Sequence, residues 1–438
     1  MRILISAGEA SGEMYGAALI EALRRHFSIQ PDCEATGGRP VEQDPRLKAA
    51  GEGARAIPTL EFFGVGGEKM RVAGCELIVD AKDLSVVGIT EILGHLPKIW
   101  RLFHKLIAEA ARRRPDFAVV IDSPAFNWRV AREMKKHGVP VVYYVCPQFW
   151  AWRQGRVRYL RKYVDKALVI FPFEEKFYRD RGVDAEFVGH PLAELPRPAV
   201  SREEYAVANG LDPNKTWITL MPGSRRKEVR MNLPEMLDTI SLFSDEYEFL
   251  LPLAPTLDRN FVAEILASHR SKIAKGGAPS AMVGEQRRLR VHLATDALPA
   301  LAHSRAAIIA SGTATVEAAM METPFVMVYR VTSLTYLLGR WTVKVPYFAM
   351  VNLIAGEKVV PELVQRDFTA ENVFKEMTKI IPDGGPRRKM LVGLQRVKRL
   401  LRGQSAKGQA AEEPAADRAA NVIAATLGVC VPAPAKIS

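Results

Sequence analysis

Four cysteines in 438 residues are few, and they are widely scattered. Cys33, Cys75, Cys146 and Cys430 form no CxxC pair, which excludes a disulfide framework and a zinc cluster of the usual spacing. A reducing compartment fits, with the thiols simply buried. Long apolar runs are also missing. Charge breaks each one well short of the ~18 residues needed to span a bilayer. Met1-Arg2 leads straight into Ile3-Leu4-Ile5 and then into polar Gly8-Glu9, without the pattern of a secretory signal peptide. A cytoplasmic location is expected. No Asp-x-Asp pair is present to hold a divalent ion, and neither a metal nor a cofactor is expected. Acid is in deficit: 61 basic against 49 acidic residues leave a net charge of +12. That sign favours anionic partners, whether nucleic acid, phosphorylated substrates or an anionic leaflet. Composition alone divides about evenly between nucleic acid and the other two. No zinc-finger or RRM signature supports the first.

What is present is the balance of a globular protein, 48% apolar and 25% charged. The length calls for two domains. Apolar, β-branched runs alternate with helical patterns: strands at 2–6, 117–121, 140–145, 166–170 and 185–188, with helices at 12–27 and 126–137. Four prolines between Gly189 and Asn214 interrupt this rhythm, and the stretch reads as a linker with room for one short helix. A second series follows, with strands at 216–221, 248–252, 290–293, 306–310 and 325–328 and helices at 296–303 and 313–321. The expected fold class is α/β, two Rossmann-like domains facing a cleft. The expected boundaries are 1–190, a linker at 191–214, 215–402, and a loose segment plus terminal helix at 403–438. Pro31–Pro58 reads as a surface insertion and Ala415–Leu427 as the terminal helix.

Seven segments carry side chains suited to chemistry. Gly8-Glu9-Ala10-Ser11-Gly12-Glu13 follows the first strand. It has neither the dinucleotide spacing nor that of a P-loop, and its two carboxylates suit sugar hydroxyls better than phosphate. The alternative is a tight turn with Glu9 exposed. Asp122, at the end of the 117–121 strand, is placed to take a proton from an alcohol or merely to cap the next helix. Asn127 lies in the same motif. Gln148 and Trp150, in Pro147-Gln-Phe-Trp-Ala-Trp-Arg153, can bond and stack on a sugar or pack in the core. The basic run Arg153, Arg156, Arg158, Arg161 and Lys162 is by default a solvated face.

Gly223-Ser224-Arg225, in a strand–turn–helix setting, suits a diphosphate. Ser311-Gly312-Thr313 opens a helix on which Glu317 lies one turn further, placed for ribose hydroxyls or for a buried structural bond. Asn352 can donate and accept toward a base or a phosphate. Finally, Leu84–Ile107 is rich in apolar residues. Ile92, Leu96, Ile99, Trp100 and Phe103 suit a lipid interface, and a core-facing helix would look similar.

Together these motifs resemble the lipid-A-disaccharide synthase family, inverting glycosyltransferases of the GT-B architecture. The matches are Gly-Glu-x-Ser-Gly-Asp (8 to 13), Gly-x-x-Gly-x-x-Met (64 to 70), Ile-Asp-x-Pro-x-Phe-Asn (121 to 127), Pro-x-x-Trp-Ala-Trp-Arg (147 to 153), Gly-His (189 and 190), Pro-Gly-Ser-Arg (222 to 225), Ser-Gly-Thr-Ala (311 to 314) and Asn-Leu-x-Ala-Gly (352 to 356). They occur in family order over roughly residues 1 to 365. The resemblance implies transfer of 2,3-diacylglucosamine from UDP-2,3-diacylglucosamine to the 6-hydroxyl of 2,3-diacylglucosamine 1-phosphate. It implies Asp122 as general base, Glu9 as an acid on the acceptor side, and Arg225, Glu317 and Asn352 around UDP. Glu13 departs from the family's Asp, and Ala125 stands where many relatives carry a second acid. Acylated substrates imply peripheral binding to inner-leaflet lipids at the inner face of the inner membrane. A homodimer fits the resemblance, and no nucleic acid is expected as a partner. The alternatives are a GT-B enzyme using a soluble UDP-sugar, an epimerase among them, and a non-enzymatic anion- or nucleic-acid-binding protein.

Overall fold

The computed structural model describes residues 1–28, 60–84, 89–254, 256–275, 291–332, 345–403 and 413–427. The insertion expected at Pro31–Pro58 and most of Gly403–Pro414 lie outside them. The chain divides into two compact units. One comprises 1–149, 153–191 and 411–438, the other 150–152 and 192–410.

The first unit runs β1 (Arg2–Ala7), α1 (Ala10–Ser28), β2 (Glu61–Gly66), α2 (Glu68–Val72), β3 (Cys75–Asp80), α3 (Ile89–Arg113), β4 (Phe117–Ile121), α4 (Pro124–Lys136), β5 (Val141–Tyr144), α5 (Val157–Tyr163), β6 (Lys166–Val169), α6 (Pro172–Arg179) and β7 (Ala185–Phe187). All seven strands pair in parallel, in the order β3-β2-β1-β4-β5-β6-β7. Every residue of β4 is buried. Its lack of polar alternation follows from helices covering both faces of a parallel sheet.

Local chemistry sets the helix limits. Pro124 supplies the pre-set φ at the start of α4. Phe126, Val130, Ala131 and Met134 form its buried face, and Gly138, at φ 74°, follows its end.

The second unit runs α7 (Arg202–Asn209), β8 (Thr216–Met221), α8 (Arg226–Ile240), β9 (Tyr247–Pro252), α9 (Arg259–Lys275), β10 (Val291–Ala294), α10 (Ala297–His303), β11 (Ala306–Ala310), α11 (Ala314–Met320), β12 (Phe325–Tyr329), α12 (Met350–Ala355), β13 (Glu362–Val364), α13 (Ala370–Ile380) and α14 (Gly385–Arg402). Its sheet is again all parallel, in the order β10-β9-β8-β11-β12-β13. Helix α7 falls inside the proline-rich stretch. Ser201 and Glu204 cap it reciprocally, and Gly210 ends it at φ 66°.

A last helix, α15 (Ala415–Thr426), belongs to the first unit and packs along α1. Ala415, Ala419, Ala420 and Ile423 are buried. Arg25 of α1 forms a forked pair with Asp417 at 2.8 and 3.0 Å.

In both sheets the strand order reverses beside the unit's first strand, between β1 and β4 and between β8 and β11. These are the switch points where open parallel sheets bind ligands. In β2, Gly64 has φ 149°, and a Cβ there would sit 2.0 Å from the Ile5 carbonyl oxygen of β1. The β2–β3 register also shifts between Gly64 and Val65, as a strand glycine at a bulge allows. Gly64→Ala should therefore destabilise the first unit by roughly 2–5 kcal/mol. The measurement is the urea midpoint by circular dichroism, and an unchanged midpoint would refute the close approach.

Candidate functional site

Asp122 leaves β4 on a backbone that L-residues avoid. Its φ is 48°, and Ser123 follows at φ 46°. Two successive left-handed residues cost about 1–2 kcal/mol each, so the surroundings must hold them. The Asp122 amide donates to the Tyr144 carbonyl at 3.2 Å. The Asp122 carbonyl accepts from the Tyr143 hydroxyl at 2.8 Å and from the Asn127 side-chain amide at 2.9 Å. Asn127 is fully buried. It also donates to the carbonyls of Ile121 and Ser6, and its Oδ1 accepts from the Ser6 hydroxyl at 2.7 Å. Asp122 does not cap α4. Ser123 holds that position, with no side-chain cap bond.

The loop after β1 closes against this turn. A Cβ on Gly8 would lie 2.5 Å from Ser123 Oγ, so the glycine lets the two switch-point loops touch. Glu9 is exposed at the start of α1, near enough for its charge to act on Asp122. Burial first, and then that like charge, push the Asp122 carboxyl up to about 6, against the pull of the Ser123 amide. The result is a carboxylate mostly ionised at neutral pH but more basic than an exposed one.

Other residues expected around a sugar behave differently. Glu13 is engaged elsewhere: its Oε1 accepts from the Lys69 amide at 2.7 Å, and its carboxyl fills the space over Gly67. Its chemistry is that of a cap on α2, since a carboxylate suits the unpaired amides of a helix start. Ser11 is half-buried, Gln148 is exposed, and Trp150 is buried. Gly12 is buried, and a Cβ there would meet Ala7 and Ile121 at 3.5–3.8 Å.

In the second unit, Gly223 turns at φ 123° after β8. The amides of Ser224 and Arg225, expected to face a diphosphate, both donate to Glu228 Oε2, at 3.1 and 3.3 Å. The Arg225 guanidinium pairs with the same carboxylate at 3.0 Å and is 77% exposed, leaving most of its surface open to an anion. Buried Asn232 holds the loop by donating to the Pro222 carbonyl at 3.0 Å, and Thr256 donates to the Ser224 carbonyl at 2.6 Å. On the neighbouring strand end, the Ser311 hydroxyl donates to the Phe348 carbonyl at 2.8 Å. Gly312 has φ 152°, and Thr313 is exposed. Glu317 is half-buried on α11 with no hydrogen bond or ion pair to its carboxyl among the described residues, and burial raises its proton affinity.

Asn352 does not face a ligand. Its Nδ2 donates to Val360 O and Glu362 Oε1, and its Oδ1 accepts from the amides of Val359 and Val360, all within 2.8–3.0 Å. A fully buried Asn with four bonds made has nothing left for a nucleotide. Its role is to tie α12 to β13. The sequence offered no motif for Tyr143 or Asn232, and although Glu228 and Glu362 stand in the segments around Arg225 and Asn352, nothing in the sequence gave them a role; all four support the loops. Tyr143 had a weak signal, since a tyrosine in a fully apolar strand needs a partner for its hydroxyl.

The membrane segment also divides. Leu96 and Trp100 are 49% and 57% exposed. Phe103 is only 6% exposed, and Ile99 packs against the same core cluster. Phe103 is therefore a core residue, because its ring meets Phe126 of α4. The Ile92 side chain lies outside the described residues.

Two Rossmann-like units, each with a polar turn at its switch point, define a protein of the GT-B architecture. The S. aureus MnaA–UDP co-structure aligns over 100% of both chains at TM-score 0.57 and 11% identity. The glycotransferase of kitacinnamycin aligns over 98% of this chain and 99% of that one, at TM-score 0.57 and 14% identity. At such identities the likeness is one of fold. The lipid-A-disaccharide synthetase family model matches residues 3–413. The lipid-A-disaccharide synthase of Koribacter versatilis is 49% identical over 416 residues, 95% of this chain and 97% of that protein. That of Acidobacterium capsulatum is 46% identical over 402 residues, 91% of each. The chain belongs to the lipid-A-disaccharide synthetase family and is a glycosyltransferase.

Asn352→Ala should lower stability by roughly 2–4 kcal/mol, because it strands buried amides and a carbonyl. A urea midpoint equal to that of the parent protein would return Asn352 to the list of ligand contacts.

Proposed function

We propose that the chain transfers 2,3-diacylglucosamine from its UDP conjugate to the 6-hydroxyl of 2,3-diacylglucosamine 1-phosphate. The products are a β-1,6-linked tetraacyl disaccharide 1-phosphate and UDP. Membership of the family supports the reaction. The observation that carries the mechanism is Asp122, held on a left-handed turn at the first switch point with its carboxyl raised to about 6. The acceptor oxygen attacks C1 of the donor sugar as the C1–O bond to UDP breaks. The acceptor proton passes to Asp122, and the electron pair leaves with the diphosphate. One displacement inverts the α-linked donor to a β-linked product. Arg225 balances charge on the leaving diphosphate, after Glu228 yields its place to the phosphate. Ser311, Gly312 and Thr313 line the nucleotide side, and Glu317, a carboxyl with no partner among the described residues, takes the ribose hydroxyls.

Below pH 6 Asp122 is protonated and accepts no proton. kcat/KM should therefore rise with pH through about 6 and then level off. Asp122→Asn should lower kcat by about 10²–10⁴-fold. Glu9→Gln removes a like charge and should move the acid limb to lower pH. A profile flat from pH 5 to 7.5, or an active Asp122→Asn protein, would take the base role from Asp122.

No helix among the described residues is long and apolar enough to cross a membrane. Acylated substrates then require contact from one side, at the inner leaflet. Leu96 and Trp100 on α3 present the apolar surface for it, beside Arg101 and Lys105. Lys98 is already paired with Asp83 at 2.7 Å. Leu96→Ser with Trp100→Ser should release the protein from phosphatidylglycerol vesicles in a flotation assay and leave its urea midpoint unchanged. Undiminished flotation would exclude this face. Phe103→Ser is no test, because truncating a buried aromatic costs about 3–5 kcal/mol.

A further inference from the structure

A hollow of about 270 Å³ between α4 and α5 plays no part in the reaction as drawn. Trp128, Tyr143, Phe149, Tyr159 and Tyr163 are its aromatic walls, and Ala131 and Leu160 are among its aliphatic lining. The Trp128 and Tyr159 rings stand 5.5 Å apart. Two features put it beside the base. Pro124 and Ala125, which directly follow the Asp122–Ser123 turn, border it. Tyr143, whose ring lines it, is the residue that holds the Asp122 carbonyl.

The rim is cationic. Arg129 and Arg156 line the hollow, while Arg158, Arg161 and Lys162 line an adjoining open depression that shares Tyr159 and Tyr163 with it. Arg129 lies over the Trp128 ring, Arg158 over Tyr159 and Lys162 over Tyr163. Among the described residues none of these five cations forms an ion pair. The nearby acid Glu133 is taken by Arg132 and Lys136. A merely solvated basic face would show the charges without an apolar hollow beneath them. Here the ligand must bring an apolar body and an anionic head together. The volume is at the low end for ligand sites. It suits one acyl chain and is too small for a whole diacyl lipid or a UDP-sugar.

We propose that this hollow receives an acyl chain of the acceptor, with the acceptor's phosphomonoester on Arg156 and the neighbouring cations. The inference rests on the reaction proposed above. It makes the basic helix a substrate-selecting element, and it brings the acceptor to the same side of the sheet as Asp122.

The test uses the full chain and two probes, dodecyl phosphate below its micelle concentration and the uncharged dodecyl maltoside. Binding is read by calorimetry and by competition in turnover. Dodecyl phosphate should bind one to one, compete with the acceptor and not with UDP, and bind at least tenfold more tightly than the maltoside. Ala131→Leu, which fills the hollow, and the double change Arg156→Gln with Arg161→Gln, on the exposed rim, should each weaken it at least tenfold. UDP affinity should not change. The rim variant keeps the test valid if Ala131→Leu does not fold. Absence of saturable binding, affinity unaffected by the rim variant, or inhibition not competitive with the acceptor would each overturn the proposal. A protein that binds the probe in this way but transfers no sugar would keep the site's ligand class and remove the proposed reaction.

Discussion

The buried amide of Asn127 ties the end of β4 to the end of β1, and the turn that carries Asp122 depends on it. Its nitrogen serves the carbonyls of Ser6, Ile121 and Asp122, and its oxygen takes the Ser6 hydroxyl. These carbonyls lie at or beside the ends of two parallel strands, β1 and β4, at the point where the sheet changes direction. Without a partner each would carry a desolvation cost of about 1–3 kcal/mol. The same bonds oppose relaxation of Asp122 and Ser123 to ordinary backbone angles. The strain is local, and the network that maintains it is local too.

The second unit solves the same problem with other residues. Asn232 secures the loop after β8, Glu228 gathers two amides and a guanidinium, and Asn352 with Glu362 secures the segment entering β13. In each case a buried or half-buried polar side chain replaces the ladder bonds that a strand loses where it ends. Asn127 and Asn352 stand in the motifs that mark the family, as does Glu13. Their presence in a motif therefore reflects support of a loop as well as contact with substrate. Asn352 and Glu13 both show the first role.

Much of the fold was legible because parallel strands buried on both faces read as plain apolar runs. The runs at 117–121, 216–221 and 306–310 coincide with β4, β8 and β11. The elements that escaped notice had weaker signals. β2 carries glycines at its centre and end, β13 has three residues, and β3 holds only a three-residue apolar run, Leu77–Val79, between acids. At the site, position along a strand foretold where Asp122, Gly223 and Gly312 would emerge. What sequence could not give was the distribution of hydrogen bonds. An exposed ligand-binding Asn and a buried Asn with four bonds read alike, as do a catalytic acid and a capping one. Phe103 was misplaced for a related reason: the apolar face of α3 that meets the core and the apolar residues that meet solvent lie next to each other on one helix.

The pairing of α15 with α1 has a consequence for synthesis. Arg25 and Asp417 are 392 residues apart in the chain. At about 5–20 residues per second, a ribosome takes roughly 20–80 s to cover that interval. For that time the face of α1 that α15 will cover stands open, although β1 and its neighbours have long left the exit tunnel. The first unit thus begins folding early and is completed late, and a chaperone that shields apolar helix faces would find its client in that interval.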